Sequence, residues 1–377
     1  MAYSKADLDR RAQLGSEILS THVRPTLKPE LVDLRLSGPG RLLDIPFPAG
    51  STPTPSTAIV TDPAKALPES DIVVLTYTAD EAKALADVMT PGRFSGDWNH
   101  YTHGFEGYLP DIRNGAPARQ AGRLGSYWTT KIGTKKVLVM KSELHMHQDS
   151  HTVNGHPSLP IRKFFTQIVE EARPSHFFCI GTAGGTYTNR PLGTIVLSRA
   201  TQFLCERDFK SEPFANQAFK SDWAPPTNLH ENALKLMKPF TDNLLIAAGA
   251  SLATCPCHGL QGPAVPKAEF LRDGHDTIPA FHPVLTTDFF EFGTDENNLG
   301  AKGVAVEMDD AVFGLACQDL GAAAPKWASI RNYSDPAVNG TLSMTQQEDC
   351  ASKIYVKYGY WTSVLGAIAT WSVIAGL

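Results

Sequence analysis

The chain has 377 residues, of which 42% are hydrophobic and 19% charged, and its formal net charge is -5 at pH 7. That composition is ordinary for a globular protein with a sizeable core, and the length permits one large domain or two modest ones. There is no excess of basic residues, so the sequence carries no electrostatic footprint for nucleic acid and we expect no such partner.

The six cysteines do not form a disulfide framework in a chain of this length. Cys179 and Cys317 lie in apolar runs, so we expect both to be buried thiols. Cys255, Cys257 and His258 form a C-P-C-H cluster. A metal site there would need a second ligand pair at recognisable spacing, so a reduced loop in a cytosolic protein is favoured. We expect neither a metal nor another cofactor.

The two ends of the chain favour a cytoplasmic protein without a membrane partner. The N-terminal stretch MAYSKADLDRRAQ lacks the apolar region of a secretory signal. The C-terminal run YWTSVLGAIATWSVIAGL is slightly short for a membrane span, contains scattered Ser and Thr, and has no basic flank. We therefore expect a buried terminal helix.

Residues 1–70 are interpreted as an N-terminal extension. A helical pattern near Lys5–Leu19 precedes SGPGRLLDIPFPAGSTPTPST, a segment of loop or linker composition. From residue 71 the chain changes to short apolar runs that predict strands buried on both faces. These runs are Ile72–Leu75, Val137–Met140, Phe177–Ile180, Thr194–Leu197, Val304–Val306 and Trp327–Ile330.

Helical patterns fall between several of these runs. ADEAKALADVM follows the first, IRKFFTQIVEEA precedes the third, DDAVFGLACQDLG follows the fifth, and EDCASKIYVKYGYWTSVLGAIATW follows the last. Gly321 is placed to end the third of these helices. Alternating strands and helices predict an α/β layered fold with a mostly parallel sheet.

Polar or glycine-rich clusters follow nearly every predicted strand. They are Glu81, Ser142-Glu143, GTAGGT at 181–186, TTDFFEF at 286–292, EMDD at 307–310 and RNYSDP at 331–336. In open α/β sheets the ligand binds at the carboxyl ends of the strands. A purely structural sheet has no need of such clusters, so they predict a ligand site there.

Each cluster also has a structural interpretation. The glycines of 181–186 either serve tight packing or bring backbone N–H groups close to a ligand. Of the acids in EMDD, one suits a helix cap, and another could hold the vicinal hydroxyls of a ribose. Asp335 either forms an Asx-type turn before Pro336 or serves as a general acid whose pKa is raised by a secluded site.

The aromatic and histidine clusters leave similar alternatives. The phenylalanines of TTDFFEF belong to the core by default, although one at a strand end could stack on a planar base. His145, His147 and His151 could bind a metal, but no matched carboxylate spacing accompanies them. Interfacial or substrate-facing polar residues are therefore favoured.

Taken in order, GTAGG, VAVEMD and SD resemble the nucleoside phosphorylase/nucleosidase superfamily, and most of all its methylthioadenosine/adenosylhomocysteine nucleosidase branch. The resemblance covers residues 71–377, which it identifies as the catalytic domain. It implies a single α/β domain around a central, mixed, barrel-like sheet, flanked by helices, and a homo-oligomer. It also implies cleavage of the N-glycosidic bond of a small-molecule nucleoside or nucleotide.

The resemblance implies a role for each matched residue. Asp335 would protonate the leaving base, Glu81 would activate water, and Asp310 would be left for the helix cap. The other matched residues would contact the substrate: Thr182, Ala183 and Gly184 beside base and ribose, Phe290 on the base, Met308 on the sugar, Glu307 and Asp309 on its hydroxyls, Ser334 beside the acid, and Ser142, His145 and His147 at the 5′ end.

The resemblance favours hydrolysis over phosphorolysis. Phosphorylases of the superfamily bind phosphate with arginines, and this chain has TYTADEA and Cys179 at two of those positions. Glu81 would also repel a phosphate dianion. A phosphorylase of the same fold and a non-catalytic nucleoside-binding module stay as alternatives, although binding alone needs neither Asp335 nor Glu81.

Three departures from the family pattern leave the substrate open. Asp309 is one methylene shorter than the family's glutamate. Glu291 stands where the family has an apolar residue beside the base, so the identity of the base is open. The histidines of SELHMHQDSH replace an apolar stretch at the 5′ end, which suggests a more polar 5′ substituent, with phosphate as the hypothesis.

Overall fold

The computed structural model describes residues 3–20, 43–187, 189–226, 229–247, 268–292, 297–335 and 343–377. The helices in these ranges are α1 (Lys5–Ser20), α2 (Ala79–Met89), α3 (Pro117–Ala121), α4 (Met146–Asp149), α5 (Pro160–Ala172), α6 (Leu229–Ala247), α7 (Asp310–Leu320) and α8 (Met344–Ala375). Within these ranges, none of the helices combines the length and the apolar character that crossing a membrane requires.

The strands in the same ranges are β1 (Thr54–Pro55), β2 (Ile72–Thr76), β3 (Asn99–Tyr101), β4 (Gly125–Ile132), β5 (Lys135–Ser142), β6 (Thr152–Val153), β7 (His156–Pro157), β8 (His176–Gly185), β9 (Thr194–Ser198), β10 (Ala200–Phe203), β11 (Ala218–Lys220), β12 (Glu269–Arg272), β13 (Val284–Thr286), β14 (Ala305–Glu307) and β15 (Lys326–Asp335). All except β6 and β7 belong to one 13-stranded sheet. The sheet is mixed: β2 is parallel to β5 and β8, β15 is parallel to β8, and β14 is antiparallel to β8.

Helices cover both faces of the sheet. Along β2, Val74 belongs to a core formed with α2 and α8, while Val73 and Leu75 belong to a core formed with α5 and α7. Successive side chains of a strand point to opposite faces, so this division follows from the β2 sequence. A strand with an apolar residue at nearly every position is suited to a sheet that is covered on both faces.

The expected α/β class and its elements are confirmed. The six apolar runs form β2, β5, β8, β9, β14 and β15, and the four helical patterns form α2, α5, α7 and α8. The C-terminal run is part of the buried helix α8, where Val364 and Ile368 are fully covered. Cys179 and Cys317 are buried free thiols, as expected, whereas Cys255, Cys257 and His258 lie outside the described residues.

One expectation about the glycine-rich cluster is wrong. GTAGGT was expected to be a loop after the third strand, but β8 continues through Gly185. The strand extends because the cluster pairs on both sides: Gly184 lies opposite Asp335 of β15 and opposite Val306 of β14. The glycines therefore bring three strands together at one end of the sheet.

The N-terminal helix expected near Lys5–Leu19 is α1. It packs against residues 289–292 and Met308, in the same part of the molecule as the expected ligand site. Leu43 and Ile45 also belong to the core beside α8. The boundary between the extension and the catalytic domain at residue 70 stays a prediction.

Candidate active site

A cavity lies where the ends of β8, β14 and β15 meet the start of α2. Its empty volume, which includes space open to solvent, is about 550 Å³. The residues assigned to the site from the sequence that line this cavity are Glu81, Thr182, Ala183, Gly184, Phe290, Glu307, Met308, Asp309, Ser334 and Asp335. Ser142, His145 and His147 are buried but do not contribute to its lining.

Asp335 is the buried acid at the end of β15. The pairing of β15 with β8 shifts between Tyr333 and Asp335, and this irregularity sets Asp335 opposite Gly184. Its Oδ1 accepts the Ser334 hydroxyl at 2.7 Å, whereas its buried Oδ2 has no hydrogen-bond partner among the described residues. Burial raises the pKa of Asp335 to about 7; the bond from Ser334 opposes this rise and the charge of Glu291 adds to it. The carboxyl can therefore hold a proton near neutral pH.

Gly184 provides the space that Asp335 needs. A Cβ at Gly184 would lie 2.9 Å from Cγ1 of Val306 and 3.1 Å from Oδ2 of Asp335. Any side chain here would push the acid or β14 aside. The glycine thus permits a close approach of backbone and carboxyl, which was one of the two interpretations of the cluster.

Glu81 closes the N-terminus of α2 and faces the cavity. Its Oε2 accepts the backbone N–H of Thr78 at 2.8 Å, while the Thr78 hydroxyl accepts the N–H of Glu81 at 3.3 Å, which is a capping box. Its Oε1 accepts both the N–H and the hydroxyl of Thr182, at 2.7 and 2.6 Å. Burial acts to raise the pKa of Glu81, but the charge of Arg331 and the bonds from Thr182 outweigh it and hold the pKa below its ordinary value. Glu81 is therefore an ionised acceptor.

Arg331 is a buried cation beside Glu81 that the sequence analysis did not single out. Its Nε donates to Oδ2 of Asp310 at 2.8 Å, its Nη2 to Oε2 of Glu307 at 3.0 Å, and its Nη1 to the Thr182 carbonyl at 3.2 Å. A Cβ at Gly181 would come within 2.6 Å of Glu81 and 2.8 Å of Arg331. The absence of a side chain at Gly181 therefore allows the Glu81 carboxylate and the Arg331 guanidinium to lie side by side in one buried space.

The acids of EMDD are used differently from the expectation. Asp310 was expected to cap the helix, but it pairs with Arg331. Glu307 instead accepts the backbone N–H groups of Asp309 and Asp310 at the start of α7, at 2.6 and 3.0 Å. Glu307 precedes the helix, and its side chain extends forward to the N–H groups at the helix start, so Glu307 provides the cap. Asp310 lies within reach of a buried positive charge and pairs with it instead.

Glu307 is surrounded by hydrogen-bond donors. In addition to the two backbone N–H groups, it receives the Thr286 hydroxyl and Nη2 of Arg331. Burial and the nearby charge of Asp310 act to raise the pKa of Glu307, whereas Arg331 and the Thr286 hydroxyl oppose this rise. Because all four contacts donate to the carboxylate, the ionised form is the one that this geometry favours.

Asp309 connects the cavity to the histidine segment. Its Oδ1 accepts the N–H of Met146 at 2.7 Å, and its Oδ2 lies 3.3 Å from Nδ1 of His145. His147 is turned toward α1, where its Nε2 lies 3.2 Å from Oγ of Ser16. Burial lowers the pKa of His147 to about 4, so this imidazole is neutral at pH 7.

Two further residues that line the cavity were not assigned to the site from the sequence. Tyr77 stands just after β2, and its hydroxyl donates to Asp310 at 3.3 Å. Tyr355 comes from α8, and its hydroxyl lies 3.4 Å from Oγ1 of Thr78. For Arg331 a signal did exist: a charged residue inside an otherwise apolar strand predicts a buried counterion.

No protein-family model matches the chain, and no curated protein matches its sequence. Solved structures do match its fold. A methylthioadenosine/S-adenosylhomocysteine nucleosidase from Helicobacter pylori, bound to butyl-thio-DADMe-Immucillin-A, is 12% identical with a TM-score of 0.46, and the match covers 82% of this chain and 99% of that one. Futalosine hydrolase from the same organism is 11% identical with a TM-score of 0.44, over 81% and 97% of the two chains.

A second nucleosidase, from Neisseria meningitidis in complex with methylthio-immucillin-A, is 14% identical with a TM-score of 0.42, and the match covers 81% of this chain and 99% of that one. The structures that match include the group of proteins that the sequence motifs resemble. At such identities the likeness concerns the fold, and the chemistry has to be argued from the residues of this chain.

Proposed function

We propose that this protein is a hydrolase that cleaves the N-glycosidic bond of a nucleoside to give free base and sugar. Asp335 is the general acid, Glu81 activates water, and the acids at 307 and 309 hold the sugar. In the reaction the C1′–N bond breaks with its electron pair on the base, the proton of Asp335 moves to the base, and water forms the new bond to C1′.

The single observation that carries the proposal is the state of Asp335. One of its oxygens is buried beside the cavity without a hydrogen-bond partner in the part of the chain that the structure describes, and the pKa of its carboxyl is raised to about 7. A turn-forming aspartate would instead be ionised and would accept N–H bonds. A carboxylic acid that keeps its proton near neutral pH is suited to protonating a leaving base, since a general acid works best when its pKa lies near the working pH.

The carboxylates around the cavity support the cleavage step. Breaking a glycosidic bond leaves positive charge on the sugar. Glu81, Glu307 and Asp309 all line the cavity, and preorganised negative groups stabilise such charge in a buried site. Arg331 donates to Glu307 and Asp310 and partly balances their negative charge.

Water binds to Glu81 by replacing the hydroxyl of Thr182. Five donors already bind Glu81: the hydroxyls of Thr76 and Thr182 and the backbone N–H groups of Tyr77, Thr78 and Thr182. They fill the roughly four acceptor positions of a carboxylate, so water must displace one of them. The Thr182 hydroxyl can rotate, unlike the backbone N–H groups. Water that takes its place is held by Glu81 directly and gives up its proton there as it attacks C1′, and the proton then passes to solvent.

Hydrolysis is favoured over phosphorolysis by the charges at the cavity. Among the described residues, Arg331 is the one lysine or arginine that lines it, and its donors are directed to Asp310, Glu307 and the Thr182 carbonyl. Phosphate recognition usually relies on arginine forks or open backbone N–H groups. Asp309, which lines the cavity, likewise favours an uncharged nucleoside over its 5′-monophosphate.

The test is release of free base from a panel of purine and pyrimidine nucleosides, their 5′-monophosphates and methylthioadenosine. Each substrate is assayed in phosphate-free buffer and again with phosphate. Release without phosphate that is lost in Asp335→Asn is the expected result. Release only with phosphate would establish a phosphorylase, and survival of every substrate on long incubation would favour a binding protein.

A further inference from the structure

The helix α1 packs against one wall of the cavity. A Cβ at Gly15 would lie 3.1 Å from Cβ of Phe290 and 3.6 Å from Cε of Met308. Phe290 and Met308 both line the cavity, so they stand between α1 and the space for the substrate. Protein interiors are close-packed, and the position of α1 therefore determines the position of these two side chains.

A buried ion pair fixes α1 to the same wall. Nη1 of Arg11 donates to Oε1 of Glu291 at 2.7 Å, and the two side chains are only 1% and 2% exposed. The guanidinium carbon of Arg11 lies 3.9 Å from the ring centroids of both Tyr3 and Phe292. Either charge alone would be costly in this place, so the pair strongly favours one arrangement of the helix.

Glu291 is held by further donors. The Tyr3 hydroxyl donates to its two oxygens at 2.9 and 3.0 Å, and Nδ2 of Asn297 lies 2.6 Å from that hydroxyl and 3.3 Å from Oε2 of Glu291. Its backbone carbonyl lies 3.4 Å from where a Cβ of Gly184 would be. Glu291 therefore links α1 to the glycine that faces Asp335.

We infer that Arg11 is a positioning residue of the substrate pocket, which acts through Glu291 to hold the 290–291 wall against the base and so helps to determine which base fits. The inference rests on the proposed function for the nature of the ligand. Arg11 does not itself line the cavity, so its effect reaches the substrate through Glu291 and Phe290.

The other end of α1 supports the same role. Oγ of Ser16 lies 3.2 Å from Nε2 of His147, in the segment that contacts Asp309. Nε of Arg207 donates to Asp9 at 3.0 Å on the outer side. A single helix thus braces both the base side and the sugar side of the pocket, and its docking keeps the two sides at a fixed separation.

The kinetic test compares Arg11→Met with Lys5→Ala on the same helix. Lys5 has an 89% exposed side chain and, among the described residues, forms its ion pair with Asp9 at the surface, so its substitution should change neither KM nor kcat. In Arg11→Met we expect KM to rise about tenfold or more with a smaller change in kcat, because binding geometry is lost and the reacting groups remain. The ratio of kcat/KM between purine and pyrimidine nucleosides should also change.

A folded Arg11→Met with unchanged KM and unchanged base preference would overturn the inference. If that variant does not fold, Arg11→Lys keeps the charge and loses the guanidinium fork, and a KM equal to that of the original protein would overturn it in the same way. We expect about a threefold to tenfold rise in KM for Arg11→Lys.

A second measurement does not need turnover. Hydrogen exchange of the backbone in residues 287–292 and 305–310 should become faster in Arg11→Met, while β4 and β5 stay protected. Faster exchange together with a protein that releases no base would retain α1 as the brace and reject only the proposed reaction. Unchanged exchange in an active enzyme would reject the brace and retain the reaction.

Discussion

The guanidinium of Arg331 and the carboxylate of Asp310 form a buried ion pair under the cavity, with Nε donating to Oδ2 at 2.8 Å. Arg331 belongs to β15, the strand that ends in Asp335, and Asp310 is the first residue of α7. The pair therefore ties the strand that carries the proposed acid to the helix that begins beside the proposed sugar-binding residues.

Replacing Arg331 by Met should destabilise the protein strongly. The substitution leaves Asp310 and Glu307 buried without their shared cation, and breaking a buried pair in this way costs about 3–5 kcal/mol. We expect the free energy of unfolding in urea to fall by that amount. Arg162→Met is the matched control, because Arg162 pairs with Asp319 at the surface, where a pair contributes only about 0–1 kcal/mol. Equal losses in the two variants would contradict this account of the network.

Asp335→Asn should abolish most of the turnover and leave the fold intact. The amide has nearly the same shape but no acidic proton to donate, and loss of a general acid costs about 10²–10⁴-fold in rate. The decisive measurement is kcat for base release, with thermal unfolding recorded on the same samples. Asp319→Asn serves as the control at an exposed carboxylate, and it should keep full activity. An active Asp335→Asn enzyme would remove Asp335 from the mechanism.

The activity should depend on pH in a defined way. Asp335 acts in its protonated form, so kcat/KM should fall as the pH rises through about 7. Glu81 acts in its ionised form and its pKa is lowered, so the acid limb should lie below the ordinary carboxyl value of 4.5. A pH–rate profile from about pH 2.5 to about pH 9, with stability recorded at each pH, tests both limbs.

The raised pKa of Asp335 also predicts the direction in which the stability of the fold changes with pH. The folded pKa of Asp335 is raised from 3.8 to about 7, so the native state binds the extra proton between these values. The contribution of Asp335 to stability is therefore fully present below pH 3.8 and is lost as the pH rises through 7. The free energy of unfolding in urea should be measured at pH 5 and pH 8 for the original protein and for Asp335→Asn, which should not show this loss of stability between the two pH values. An identical pH dependence in both proteins would refute the raised pKa of Asp335.

Gly184→Ala should reduce activity more than stability. The added methyl group would lie 2.9 Å from Val306 and 3.1 Å from the free oxygen of Asp335, so the acid must move. Displacement of a reacting group by about 1 Å can cost about 10²-fold in rate. Gly96→Ala is the control, since a Cβ there meets nothing within 4 Å. The comparison needs kcat/KM and the melting temperature of both variants, and equal kcat/KM would contradict it.

Most of the residues that line the cavity could be predicted from the sequence, because a simple physical rule places them together. Parallel strands present their carboxyl ends at one edge of the sheet, and the clusters containing Glu81, Gly184 and Asp335 follow three such runs. Glu81 carried a second signal, since Thr78 and Glu81 have the spacing of a capping box. The cavity lining therefore follows largely from local patterns.

The division of labour among the acids could not be predicted in the same way. Glu307, Asp309 and Asp310 are all acids near a helix start, and their roles depend on where Arg331 and His145 lie. Arg331 comes from β15 and His145 from the segment between β5 and α4, so tertiary contacts determine these roles. The docking of α1 on the cavity wall was also not predicted from the sequence. A signal existed, because Arg11 lies on one helical face with Leu8, Ala12 and Gly15, and a charge among apolar residues predicts a buried counterion.

The docking of α1 has a consequence for the order of assembly. Tyr3 and Glu291 are 288 positions apart in the chain, so their contact is among the most non-local in the molecule. Contacts of long sequence separation form late, because the loop between the partners must first be closed. During synthesis α1 emerges before the segment after β13 and cannot dock until that segment is made. In refolding experiments, protection of residues 5–16 from hydrogen exchange should therefore lag behind that of β4 and β5, and the competent pocket should be the last part of the fold to mature.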